Sequence, residues 1–253
     1  MPRKPRQKSQ SGIYHILVRG INRQIIFEDD EDYSSFLRTL ARYKEPCGYE
    51  IYAYCLMDNH IHILLKEGEE PLEKIMRRIG GSFVYWYNTK YERIGPLFQD
   101  RFKSEAVEND RYFLTVLRYI HQNPVKAGLV EKPEQYKWSS MSEYLGKLGI
   151  VDTAFALSFF GNEIEKALKA FRQFCEADND DCCLELEKVK IISDREAREL
   201  ILKVCKIENP FELQNLEKNH RNECLKELKE KYNLSVRQIS RLTGINRGIV
   251  LRA

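Results

Sequence analysis

YEIYAYCLMDNHIHILLK, residues 49–66, reads as two β-strands joined by a tight turn. Residues 49–57 and 60–66 are dense in β-branched and aromatic side chains, and only Asp58-Asn59 separates them, a hairpin-like connection. Upstream, Ile13-Tyr14-His15-Ile16-Leu17-Val18 has the composition of a first strand, ended by Gly20. Acidic residues 28–32 then open an amphipathic helix, with Tyr33, Phe36, Leu37, Leu40 and Tyr43 at helical spacing, that stops near Pro46 and Gly48. Downstream, Leu72 to Tyr91 repeats the helical pattern through Ile75, Ile79, Phe83 and Trp86/Tyr87. After Gly95-Pro96, residues 102–108 supply a fourth strand, and 110–122 a third helix running into Asn123-Pro124. Strand, helix, strand, strand, helix, strand predicts an α+β, ferredoxin-like sandwich with one four-stranded antiparallel sheet, followed by a helical C-terminal region.

Composition narrows the function classes. Of the 253 residues, 43% are apolar and 31% charged, enough for a packed core and a soluble surface. No apolar run approaches the roughly eighteen residues of a membrane span, and the first dozen residues lack the apolar centre of a signal peptide, so a cytoplasmic protein is expected. The seven cysteines contain no C-x-x-C pair, so reduced, packed thiols are expected rather than a zinc knuckle or disulfides. A formal net charge of +3 conceals two basic ends. Residues 1–12 carry Arg3, Lys4, Arg6 and Lys8 without an acid, and residues 232–253 carry Arg237, Arg241, Arg247 and Arg252 without one. Localised positive charge suits a protein that meets a polyanion at chosen places.

The pair His60-Ile61-His62 carries the chemistry. Residues two apart on a strand share a face, so both imidazoles project side by side while Ile61 faces the opposite way. Two neutral imidazoles bind a divalent cation when a third ligand arrives from elsewhere. The third helix offers it: Tyr119 and Asn123, four apart, share a helical face, which sets an amide oxygen beside a phenol hydroxyl. A phenol is a poor nucleophile, but a cation polarising a phosphate makes that attack feasible. Taken singly, each of these residues is more often a packing residue than a catalytic one.

Met57-Asp58-Asn59-His60-Ile61-His62-Ile63-Leu64-Leu65, then residues 95–103 (GPLFQDRFK), 119–130 (YIHQNPVKAGLV) and 136–140 (YKWSS), together resemble the HUH transposases with a single catalytic tyrosine. Within these, the chain is most similar to the REP-associated tyrosine transposases, over about residues 12–145. The resemblance implies a single-stranded DNA endonuclease and transposase acting in DNA transposition and recombination. His60, His62 and Asn123 would bind Mg²⁺ or Mn²⁺, and Tyr119 would attack the scissile phosphate to leave a 5′-phosphotyrosine that a second 3′-hydroxyl reverses. Family partners are hairpins of palindromic repeats in single-stranded DNA, and a monomer or homodimer is expected. Arg3, Lys4, Arg6, Lys8, Arg19, Arg23, Arg101, Lys103 and Arg118 are candidate phosphate contacts, and Tyr14 or Phe102 candidate base stackers. Gln122 and His121 are expected to point away from the site. The alternatives are a non-catalytic, hairpin-binding regulator derived from a transposase, and a phosphodiesterase that uses water.

The C-terminal stretch reads as a helix-turn-helix. Ser235 caps a helix through Val236, Ile239 and Leu242, Gly244 turns, and Asn246 caps a second helix bearing Arg247 and Arg252. It resembles the DnaA-like or resolvase-like tails of some transposase relatives; a helical hairpin used in dimerisation fits the same pattern. The expected division is therefore a flexible basic tail (1–12), a transposase domain (13–145), a helical linker region (146–230) and the helix-turn-helix (231–253).

Overall fold

The computed structural model describes residues 6–184, 194–232 and 234–253. Residues 1–186 and 187–253 form two compact units.

In the first unit, strands β1 (Ile13–Arg19), β2 (Glu50–Leu56), β3 (His60–Lys66) and β4 (Lys103–Ala106) form one sheet in the order β2-β3-β1-β4. Every neighbouring pair is antiparallel. Helices α1 (Asp30–Cys47) and α2 (Leu72–Lys90) complete the expected ferredoxin-like order. They cover one face, where Tyr14, Ile16, Val18, Ile61, Ile63 and Leu65 join Phe36, Leu40, Ile75, Ile79 and Phe83 in one core. The alternate residues face a second core against α3 (Asp110–Lys126). In β2 a bulge after Ile51 adds one residue, so Ile51 and Tyr54, three apart, enter the same core.

Helix α1 begins where the acidic run predicts, because Asp29 caps it and accepts from the Glu31 and Asp32 amides. Gly48, at φ 68°, ends it in the left-handed conformation. Helix α3 departs from expectation: Pro124 does not stop it, and it runs to Lys126. Proline removes one amide donor, and only two further residues remain in the helix, after which the Leu129 amide donates to the Pro124 carbonyl. Asn123 therefore sits in helix, one full turn after Tyr119.

Residues 6–12, expected to be flexible, are tied down by an internal anion. The amides of Gln10 and Ser11 donate to the Glu108 carboxylate at 3.1 and 3.2 Å, and Arg6 Nη2 donates to the Phe102 carbonyl at 2.8 Å.

The chain also divides later than expected. Helices α4 (Met141–Tyr144), α5 (Thr153–Ser158) and α6 (Ile164–Glu176) are part of the first unit, with Met141, Tyr144, Ala156, Leu157, Phe171 and Cys175 buried in the α3 core. The second unit comprises α7 (Asp194–Cys205), α8 (Lys218–Glu230), α9 (Val236–Thr243) and α10 (Arg247–Arg252). Ser235 and Asn246 cap α9 and α10, and Gly244 turns between them at φ 73°. Ile239, Leu242 and Val250 share a core with Ala197, Ile201, Leu225 and Leu228, so α7 and α8 cover the apolar faces of the α9–α10 pair. A helix-turn-helix starting at residue 231 would leave those faces in water.

Candidate active site

Residues directly opposite in neighbouring strands point to the same face of a sheet, so register places the side chains. Arg19 pairs with His60, and Leu17 pairs with both His62 and Lys103. His15 pairs with Leu64 on one side and Glu105 on the other. His15, His60, His62, Arg19, Lys103 and Glu105 therefore share the α3 side of the sheet. The Gly20 amide donates to the Asn59 carbonyl at 2.9 Å, fixing the end of β1 to the turn before His60. A Cβ at Gly20 would collide with the Gln24 carbonyl and with Ile26, so that joint requires glycine.

Helix α3 lays Tyr119 onto the histidines. Its ring centroid lies 5.7 Å from that of His62 and 5.9 Å from that of His15, edge-on to both, and the His60 and His62 rings are 5.2 Å apart. Tyr119 is 3% exposed. Asn123 Nδ2 donates to the Tyr119 carbonyl at 2.9 Å, so its side chain bonds back along α3 and Oδ1 remains an acceptor. Lys126 Nζ lies 5.2 Å from the centre of the Tyr119 ring, a cation beside that ring that sequence reasoning did not single out. Gln122 and His121 point away, as expected: Gln122 Nε2 donates to the Cys175 and Ala177 carbonyls, and His121 Nε2 meets Ser140 Oγ at 2.8 Å.

The hydrogen bonds bear on whether the histidines suit a metal. His60 Nδ1 faces Asn59 Oδ1 at 2.7 Å, an acceptor only, so Nδ1 carries the proton and Nε2 keeps its lone pair. His62 Nδ1 faces His15 Nε2 at 3.0 Å. Both rings thus have Nδ1 engaged and Nε2 remaining, the arrangement of metal-binding imidazoles. Among the described residues no three His, Cys, Asp or Glu side chains are grouped to hold a metal ion. A divalent cation here would need oxygen ligands besides the imidazoles to complete its shell.

Burial keeps these imidazoles neutral. It pushes His60 down to about 4, with Asp58 opposing and Arg19 assisting, and His15 and His121 down to about 3. His62 is lowered well below the usual histidine range by burial, then by His15 and His60. In the unfolded chain all four take up protons near pH 6.5, so below that pH the unfolded state binds more protons than the folded one. Stability is then complete above about pH 6.5 and is lost as pH falls toward the folded values, by up to about 1.4 kcal/mol per pH unit for each histidine. Urea midpoints measured at about pH 7 and about pH 5 should show a clear drop at the lower pH. Equal midpoints would mean that the imidazoles are not buried in solution.

The candidate DNA contacts divide between the two sides of the sheet. Arg19 and Lys103 share the histidine side; Arg19 Nε also donates to Gln99 Oε1 at 2.9 Å. Arg23 lies in the short turn Ile21–Arg23 beyond β1. Arg6 and Arg101, with Arg77, Phe98 and Phe102, line a cavity of about 700 Å³ against Val18, Phe36 and Ile79, on the α1–α2 side. Arg6 stacks on Phe102, 3.8 Å from the ring centre. Lys8 is exposed, and Arg247 is exposed at the start of α10 in the second unit. Arg3 and Lys4 lie outside the described residues. Two expectations are corrected. Arg118 is committed to Asp181 through bonds of 2.7 and 3.0 Å and stacks on Phe174, so it is not a phosphate contact in this arrangement. Tyr14 is 3% exposed with its hydroxyl bonded to Ser9 and Glu67, so its ring has no face for a base.

Residues 8–123 match the family described as "Transposase IS200 like". The chain is 26% identical over 110 residues to the REP-associated tyrosine transposase of Escherichia coli K12, covering 43% of this chain and 64% of that protein. It is likewise 26% identical over 120 residues to a putative REP-associated tyrosine transposase of Haemophilus influenzae, covering 40% of this chain and 65% of that one. The matches thus span just under two thirds of those relatives' length. In fold, the chain is similar to a solved REP-associated tyrosine transposase bound to a REP hairpin, with a TM-score of 0.53, 18% identity, and coverage of 74% of this chain and 100% of the other. Among the described residues no helix is long and apolar enough to cross a membrane.

Proposed function

We propose that this chain, whose residues 8–123 match the IS200-like transposase family, binds hairpins in single-stranded DNA and cleaves and rejoins strands through a covalent phosphotyrosine. The observation that carries the reading is the seating of Tyr119 against His62 and His15, at 5.7 and 5.9 Å between ring centres, on the histidine side of the sheet. Tyr119 Oη attacks the scissile phosphorus, the bond from phosphorus to the 3′ oxygen breaks, and the phenol proton is balanced by the 3′-hydroxyl that departs. The 5′-phosphotyrosine keeps the phosphodiester's energy, so a second 3′-hydroxyl reverses the step without a nucleotide cofactor.

Arg19, Lys103 and Lys126 hold the substrate phosphates beside the nucleophile, and the Tyr119 ring is fixed by its edge contacts with the two buried imidazoles. Nε2 of His60 and of His62, with Asn123 Oδ1, are the atoms to hold Mg²⁺ or Mn²⁺, which when bound supplies Lewis-acid polarisation of the phosphate. Arg6 and Arg101, on the other side of the sheet, contact DNA away from the scissile bond. Arg247, at the start of the exposed second helix of the helix-turn-helix, contributes a separate DNA contact.

Incubating the full chain and Mn²⁺ or Mg²⁺ with labelled single-stranded palindromes from the DNA flanking its gene tests this. A denaturant-resistant protein–DNA adduct with a free 3′-hydroxyl on the released strand is the expected result. Hairpin binding without cleavage would replace the reading with a non-catalytic regulator, and cleavage without an adduct with a water-using phosphodiesterase.

A further inference from the structure

We infer that His15 is a positioning residue that holds His62 in the tautomer with its lone pair on Nε2, and that Glu105 holds His15 in turn. The inference rests on the reading of His62 as a cation ligand. Three neighbouring strands build the array. Glu105 on β4 is the register partner of His15 on β1, and His15 Nε2 meets His62 Nδ1 of β3 at 3.0 Å.

One proton lies between those two nitrogens, and it belongs either to His62 or to His15. If His62 Nδ1 carries it, His15 Nε2 is the acceptor, so the neutral His15 ring has its own proton on Nδ1, and His62 Nε2 is a lone pair. If His15 Nε2 carries it, His15 Nδ1 is a bare lone pair and His62 Nε2 bears a hydrogen that blocks coordination.

Glu105 decides between them. His15 is fully buried, its Nδ1 has no hydrogen-bond partner, and the charged group it faces is Glu105 Oε2 at 4.0 Å. A carboxylate oxygen attracts an N–H dipole and repels a nitrogen lone pair; the His15 ring is out of water, while the Glu105 side chain is 38% exposed. Glu105 is itself oriented, since Oε2 accepts from the Tyr112 hydroxyl at 2.6 Å and the Leu184 amide at 3.0 Å. The first arrangement is therefore favoured, and it is the one in which His62 is ready for a cation. His60 reaches the same tautomer through Asn59. The two imidazoles are thus preset by different devices, one local to the turn and one running across the sheet.

The test uses the full chain and two readouts. Nitrogen-15 NMR of the metal-free protein should show His62 protonated at Nδ1 in the wild type. In His15→Phe, which keeps a ring and removes the acceptor, that preference should disappear. Mn²⁺ titration followed by electron paramagnetic resonance should show affinity about 10- to 100-fold weaker in His15→Phe. His15→Gln, whose amide oxygen replaces the Nε2 acceptor, should recover most of the loss, whereas Glu105→Gln should shift His62 toward the Nε2-protonated form. The inference is overturned by a wild-type His62 protonated at Nε2, or by folded His15→Phe binding Mn²⁺ as the wild type does. Should His15→Phe not fold, the wild-type tautomer and Glu105→Gln decide the matter alone. If wild type and His62→Ala bind Mn²⁺ equally, the ligand reading of His62 fails instead, while the tautomer measurement still judges the array.

Discussion

Tyr119→Phe should abolish the covalent adduct and lower strand cleavage by about 10³-fold or more, while leaving hairpin affinity within about twofold of wild type. The separation of the two effects follows from how Tyr119 is held. Its ring is 3% exposed, packs edge-on to His15 and His62, and lies under Lys126 Nζ. Phenylalanine keeps every one of those ring contacts and removes only the hydroxyl, so the α3 core and the basic groups proposed to meet DNA are undisturbed. Cleavage on a denaturing gel and binding by electrophoretic shift, done on the same oligonucleotide, measure the two quantities independently. An adduct that persists in Tyr119→Phe would put the nucleophile on another side chain, and the histidine-side assignment would have to be abandoned.

The elements of this fold were legible by two different signals: a density of β-branched and aromatic side chains marks β1, β2 and β3, and three-to-four spacing marks α1 and α2. His60 and His62 could be placed on one face by alternation, and Tyr119 and Asn123 on one face by helical spacing, with no knowledge of tertiary structure. His15 could not be assigned a partner in this way. Its contact with His62 exists because β1 lies next to β3 in exactly one register, and that register is a property of the assembled sheet. The same holds for Arg118, read as a DNA contact from its position beside Tyr119 but paired with Asp181, 63 residues away. Pro124 misled for a local reason: proline's cost falls on the bond it removes, which is small this close to a helix end. Helix α6 misled for a general one, since an amphipathic pattern says that a face is buried and not against what.

Phe171→Ala should therefore do more damage than the expected boundary at residue 145 would allow. In a linker the change would cost almost nothing. Here Phe171 is fully buried, stacked on Tyr144 at 4.3 Å between ring centres and edge-on to His121 at 5.7 Å. Removing a buried aromatic ring costs about 3–5 kcal/mol, from lost transfer energy and the cavity left behind. The loss falls on the outer face of α3, the helix that carries Tyr119, which α6 also grips through Gln122 and the Cys175 carbonyl at 2.9 Å. A urea titration should show the midpoint falling, and cleavage should decline further than hairpin binding, because Tyr119, the proposed nucleophile, is two residues from His121. Cutting the chain makes the same point more severely. A fragment ending at residue 145 leaves Phe113 without Phe155 and Phe159 of the α5 segment, and Tyr144 and His121 without Phe171 of α6, and should lack a cooperative unfolding transition. A fragment ending at residue 186 retains the first unit whole and should unfold cooperatively. Equal midpoints for the two fragments would show that α5 and α6 add no stability to α3, and the helix holding Tyr119 would then be supported by the sheet alone.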